Sequence, residues 1–191
     1  MGQQKSYLLQ GRTFYVRQKG KSQDPLFIDD ACYGYYLKRL LNSLRAARQQ
    51  LHTFVLLPHE VRLLSSPYST NGLLRSMQRA AIDYGEYFAN RFSSICPLLT
   101  GQPDLHQVER DSQVLEYQKS IELAPVREQL VNMPGEYPWS AYPINAFGGH
   151  RNPIFMHRQY RTVFFRGNHP FQRYRDFVAT TSSTGSSRPE L

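Results

Sequence analysis

Arginine interleaved with aromatic residues is the chemistry this chain displays over its longest span. Between Tyr137 and Arg175 there are six arginines (Arg151, Arg158, Arg161, Arg166, Arg173 and Arg175) and no Asp or Glu. His150, His157 and His169 lie in the same stretch, with Tyr142, Phe155, Tyr160, Phe164, Phe165 and Phe171. Guanidinium groups fork onto phosphate oxygens and flat rings stack on unpaired bases, so the pattern suits single-stranded or distorted nucleic acid. A net charge of +8 adds a general attraction to a polyanion. A solvated basic face is the plainer alternative. A second concentration of reactive side chains lies in Leu51-His52-Thr53-Phe54-Val55-Leu56-Leu57-Pro58-His59-Glu60-Val61-Arg62-Leu63-Leu64-Ser65-Ser66-Pro67. Arg62 is a permanent cation, suited to neutralising Glu60 or a phosphate. Cys32 and Cys96 make neither a disulfide framework nor a metal cluster, and read as small buried side chains in a reducing compartment.

The elements that must position these groups follow from periodicity. A length of 191 residues predicts one domain, over 1–178, with a disordered Ser/Thr/Gly-rich tail over 179–191. No apolar run reaches the roughly eighteen residues a membrane span needs, and no apolar block follows the N-terminus, so neither a membrane segment nor a secretory signal is expected. Met1-Gly2 with Ser6 fits a myristoylation start only superficially. A first strand is predicted over 12–18, and a helix over 31–50 capped by Asp29 or Asp30. The apolar runs 52–57 and 61–66 around Pro58-His59 read as two strand segments or one strand with a break. Asn71 is the predicted cap of a second helix reaching 90, with Leu74, Met77, Ala81, Tyr84 and Phe88 on one stripe. A third helical run is predicted over 108–123, with Pro125 as a stop or a new turn. Trp139 is expected to pack the end of the domain against the core. The order strand, helix, strand, strand, helix predicts an α+β, ferredoxin-like antiparallel sheet with helices packed on one face.

Several segments carry a resemblance. Phe14-Tyr15-Val16-Arg17-Gln18 leads to Leu26-Phe27-Ile28-Asp29-Asp30, and Phe54-Val55-Leu56-Leu57-Pro58-His59-Glu60-Val61-Arg62-Leu63-Leu64 forms a strand pair. Further on come Lys119-Ser120-Ile121-Glu122-Leu123-Ala124-Pro125-Val126-Arg127, then Pro134-Gly135-Glu136-Tyr137-Pro138-Trp139-Ser140-Ala141-Tyr142, and finally Arg173-Tyr174-Arg175-Asp176-Phe177-Val178. Together these resemble the REP-associated tyrosine transposases, a branch of the HUH single-strand DNA transposases, over about residues 11–178.

The resemblance implies a fold, a chemistry and a departure from that chemistry. In that family two histidines, in the pattern His-hydrophobic-His, hold a divalent metal because alternate strand residues point the same way. A helix tyrosine then attacks the scissile phosphate, and a polar ligand one turn later completes the metal site. Matched by residue, the histidine positions are Glu60 and Arg62, the tyrosine position is Ser120 and the ligand position is Ala124. All four are substituted, so no cofactor and no nicking are expected. The fallback is an active enzyme using Tyr117 as nucleophile, with Mg²⁺ or Mn²⁺ held by some of His52, His59 and Glu60. Neighbouring strand residues face opposite sides, which weighs against His59 and Glu60 sharing an ion. The expectation is therefore a bacterial, cytoplasmic, transposase-like pseudoenzyme, monomer or homodimer, that binds single-stranded or hairpin DNA. Arg17, Arg62, Arg127, Arg151, Arg158, Arg161, Arg166 and Arg173 are its expected phosphate contacts, and Tyr15, Phe155, Tyr160 and Phe165 its stacking candidates. A protein-interaction module with no DNA partner is the remaining alternative.

Overall fold

Four short segments pair into one antiparallel sheet. The structure, a computed structural model, describes residues 12–20, 24–97, 102–149 and 154–180. Its strands are β1 (Phe14–Lys19), β2 (Gln50–Leu57), β3 (Glu60–Ser66) and β4 (Pro103–Gln107), in the spatial order β2-β3-β1-β4. Val16, Phe54, Leu56, Val61 and Leu63 point to one face, where they meet the two long helices α1 (Asp30–Ala46) and α2 (Thr70–Phe92). The sheet order and this helix layer are the ferredoxin-like arrangement expected. The opposite face is also covered: Val55, Leu57 and Leu64 pack on Val114, Ile121 and Ala124 of α3 (Val114–Glu122) and α4 (Ala124–Arg127).

The helix boundaries differ from periodicity alone, each for a local reason. Asp29 does cap α1, accepting from the Cys32 amide at 3.0 Å. The helix stops at Ala46, four residues early, because Arg48 takes a left-handed backbone (φ 52°) and Gln50 already belongs to β2. The cap of α2 is Ser69, not Asn71: Ser69 is extended and its hydroxyl accepts from the Gly72 amide at 3.0 Å. Its buried stripe runs through Leu73 rather than Leu74, then Met77, Ala80, Ala81, Tyr84 and Phe88. Replacing Ser69 with alanine is expected to cost about 1 kcal/mol, readable as a lowered urea midpoint with an unchanged slope.

The strand β4 is absent from the periodicity reading. It is an edge strand that begins with a proline and carries a single leucine, Leu105, among polar residues, which edges tolerate and interiors do not. It also claims the start of the predicted third helix. The Val108 amide bonds to the Thr13 carbonyl at 2.8 Å, and α3 begins only at Val114, after a 3-10 turn over Asp111–Gln113. The other sheet edge is shielded by the segment around Trp139. The Leu56 amide donates to the Trp139 carbonyl at 2.9 Å, and the Ala141 amide donates to the Phe54 carbonyl at 3.0 Å. Trp139 itself stacks on Tyr33, 5.1 Å between centroids, as the terminal packing residue expected. Three helices close the domain: α5 (Tyr142–Phe147), α6 (Arg158–Phe164) and α7 (Pro170–Ala179), joined through Tyr142, Ala146, Tyr160, Phe164, Tyr174 and Val178. Of the expected tail over 179–191, Ala179 is instead the last residue of α7 and Thr180 its cap, and 181–191 lie outside the described residues. Among the described residues no helix is long and apolar enough to cross a membrane.

Candidate nucleic-acid interface

Antiparallel register brings the charged residues of two strands onto one face. Arg17 of β1 lies opposite Arg62 of β3, and Lys19 lies opposite Glu60. The Glu60 carboxylate is buried and gathers all three cations. Arg17 Nε donates to its Oε2 at 2.7 Å, Lys19 Nζ stands 3.6 Å away, and Arg62 pairs with its Oε1. Arg62 also reaches Glu128 Oε1 at 3.0 Å. Burial pushes the Glu60 carboxyl up, but the charges of Arg62 and Arg17 and their hydrogen bonds outweigh it and hold the group below the ordinary carboxylate range. Beside this cluster Tyr15 packs between Tyr117 of α3, at 5.4 Å, and His106 of β4, at 6.4 Å. The face is thus an ion-paired patch with an aromatic shelf at its edge.

The donors of this patch do not suit a divalent metal. Both Glu60 oxygens already face guanidinium groups, and the alternate position on the strand is itself a cation. Among the described residues no group of three or more His, Cys, Asp or Glu side chains is arranged to hold an ion. The fallback ligand set of His52, His59 and Glu60 is corrected by topology. His59 sits exposed in the β2–β3 turn, whereas His52 is at the far end of β2, roughly 20 Å of strand away. Both His52 ring nitrogens are also engaged: Nδ1 donates to the Phe155 carbonyl at 2.8 Å and Nε2 meets Ser66 Oγ at 2.8 Å. Burial first, then His157, drive its pKa down to about 3. This is a structural core histidine.

On α3, Ser120 accepts from Arg127 Nη1 at 3.1 Å, and among the described residues no carboxylate or imidazole bonds to it. Ala124 is turned into the core against β2 and β3. Tyr117 is half-buried against Tyr15, one turn before Ser120 and near the Glu60–Arg62 cluster. The structure therefore brings Glu60, Arg62 and Tyr15 together, with Tyr117 packed on Tyr15; His52 is left out, and His59 stays in the adjoining turn, where its charge acts on Glu128.

The expected phosphate-binding arginines divide into groups. Arg17 and Arg62 are committed to Glu60, with side chains only 34% and 19% exposed, so a phosphate would have to displace a carboxylate to reach them. Arg158 is exposed but paired with Asp111, which periodicity had placed inside a helix. Arg127, Arg161, Arg166 and Arg173 are exposed, the last donating to the Phe164 carbonyl at 3.2 Å. Arg151 lies outside the described residues. Of the stacking candidates, Phe155 and Phe165 are exposed, whereas Tyr160 is fully buried among Phe164 and Tyr174 and belongs to the core.

Two buried charged side chains of α3 carry the attachment of the C-terminal helices, and sequence reasoning gave them no role. Glu122 is fully buried. Its Oε1 accepts from Thr53 Oγ1 and from Asn145 Nδ2, both at 2.7 Å, and its Oε2 accepts from the Tyr174 hydroxyl at 2.6 Å. Burial pushes its pKa up, although these hydrogen bonds and one from Gln118 oppose the shift. Lys119 donates to the Phe177 carbonyl at 2.8 Å and to that of Thr180, placing a cation at the C-terminus of α7. The available signal was a Lys and a Glu falling on the apolar stripe of Leu115, Gln118 and Ile121.

No family model matches the chain, and no curated protein matches it. Among solved structures it is similar to a REP-associated tyrosine transposase bound to a REP hairpin, with a TM-score of 0.58 and 14% identity, over 83% of this chain and 93% of that one. At that identity the likeness is one of fold: the four-stranded sheet with its covering helices is the transposase arrangement.

Proposed function

We propose that this chain is a transposase-like DNA-binding protein that recognises single-stranded or hairpin DNA and no longer nicks it. The observation that carries the reading is the Arg17–Glu60–Arg62 cluster. Where the resemblance expects two metal-binding histidines, the strand presents a carboxylate already neutralised by guanidinium groups. No pair of metal-binding donors is left there to hold an ion against a phosphodiester. Ser120 is bonded to a guanidinium rather than to a base, so its hydroxyl is not activated. What remains is a set of exposed arginines, Arg127, Arg161, Arg166 and Arg173, with exposed rings at Phe155 and Phe165. That combination suits phosphate contacts and stacking. The solved structure of similar fold carries a hairpin, which favours the same class of ligand.

The test has two parts. In a salt titration by fluorescence anisotropy, hairpin and single-stranded DNA should bind with a steep salt dependence, and Arg166→Ala should reduce the slope by about one. Incubation with the same DNA and Mg²⁺ or Mn²⁺ should give no denaturation-resistant adduct. An adduct that disappears in Tyr117→Phe would establish the active alternative, with Tyr117 as nucleophile. Absence of any DNA or RNA binding at low salt would leave a protein-interaction module.

A further inference from the structure

A cleft lies at the other end of the strands from Glu60. It has a volume of about 480 Å³ and opens where β2 begins, β3 ends and α6 starts. That is within the range of roughly 300–1,000 Å³ usual for small-molecule sites. Three arginines line it, Arg48, Arg158 and Arg161, against one carboxylate, Asp111. Asp111 is spent on Arg158. Among the described residues no carboxylate comes within ion-pair distance of Arg48 or Arg161, and both side chains are exposed. Tyr68, 57% exposed, forms part of the rim.

The floor of the cleft is polar yet self-contained. The Gln159 amide donates to His157 Nδ1 at 3.0 Å, so the His157 proton sits on Nε2 and is donated to Thr13 Oγ1 at 3.1 Å. Thr13 then donates to Ser66 Oγ at 3.0 Å, Ser66 donates to His52 Nε2 at 2.8 Å, and His52 Nδ1 donates to the Phe155 carbonyl. Every proton in this chain is used, and both imidazoles are neutral. The floor therefore offers a ligand no charge and no spare donor. Recognition of an anion falls to Arg48 and Arg161 on the walls, and a flat ring has Tyr68 to lie against.

We propose that this cleft holds one nucleotide unit, its phosphate on Arg48 and Arg161 and its base on Tyr68. The nucleotide belongs to an unpaired DNA strand, because a paired base cannot turn toward Tyr68. The assignment of a strand as the source rests on the DNA-binding reading above; the nucleotide chemistry of the cleft does not.

The experiment measures binding of a ten-nucleotide single strand, a blunt duplex and free dTMP to the full chain and to two variants. The variants are the double change Arg48→Gln with Arg161→Gln, and Tyr68→Ala. These are surface side chains, and thermal melts superimposable on wild type confirm that the variants fold. Each variant should weaken single-strand binding about tenfold; Tyr68→Ala, which removes no charge, should leave duplex binding within about twofold, and the double change should cost the duplex clearly less than the strand. Equal losses on strand and duplex would overturn the cleft and leave general DNA binding standing. If neither DNA binds wild type, the dTMP arm decides. Binding of dTMP that the double variant abolishes would support the cleft as a nucleotide site while the DNA reading fails. No binding of dTMP in that case would overturn the cleft as well.

Discussion

Glu122→Ala is expected to lower the stability of the domain by about 3–5 kcal/mol, read from the urea midpoint at neutral pH. The change opens a cavity between α3, β2 and α7 and strips the acceptor from Thr53, Asn145 and Tyr174 at once. Each of these donors is buried, so water does not replace what is lost. Glu122→Gln is not a mild substitute, because every partner of the carboxylate donates and an amide NH₂ meets them with more hydrogens. The two variants separate charge from packing through pH. In the wild type the folded-state pKa of Glu122 is raised by burial. Its contribution is therefore greatest below the unfolded value of roughly 4.3 and declines as pH rises through the folded value. Both variants should lack that decline, and only the alanine variant should also carry the cavity cost.

Glu60→Gln is expected to act with the opposite pH signature. Its folded-state pKa is depressed, since the charges of Arg62 and Arg17 outweigh the cost of burial. The contribution of Glu60 is thus present above roughly pH 4.3 and is lost as pH falls through the depressed value. Wild type should lose stability on that acid limb, and Glu60→Gln should flatten it. At neutral pH the substitution is expected to cost about 2 kcal/mol, with most of the loss at the well-covered Arg62 and less at Arg17, which solvent already screens. Urea titrations from pH 3 to pH 7 on both proteins give the comparison. An acid limb unchanged by the substitution would mean that Glu60 is not the clamp of this face. The same variant frees Arg17 and leaves Arg62 held only by Glu128, so hairpin binding should tighten and its salt dependence steepen.

Much of the fold was written in local pattern. The Asp29 cap, the strand pair broken at Pro58-His59 and the stripe of Met77, Ala81, Tyr84 and Phe88 all act within a few residues of themselves. The strand β4 was illegible because its pairing partner, β1, lies almost ninety residues earlier, and its own residues show no apolar alternation. The cap of α2 was misplaced by two residues because several polar side chains in Tyr68-Ser69-Thr70-Asn71 qualify, and only the extended backbone of Ser69 selects among them. For the candidate site, the substitutions at Glu60, Arg62, Ser120 and Ala124 were visible as residue types. Their partners were not.

By itself the sequence determined what each position is able to do: Arg62 holds a permanent charge, Ala124 offers no lone pair, and an arginine–aromatic stretch attracts a polyanion. Those are properties of side chains, independent of where the chain places them. Only the tertiary structure decided which groups meet. It set Glu60 between Arg17 and Arg62, sent His52 to the other end of the strand, buried Tyr160, and, among the described residues, gave Arg48 and Arg161 no ion-paired carboxylate in the cleft they line with Asp111. The reason is that pairing and burial arise between residues distant in the chain, through strand register and sheet faces, and a charge takes its role from the neighbour it is given.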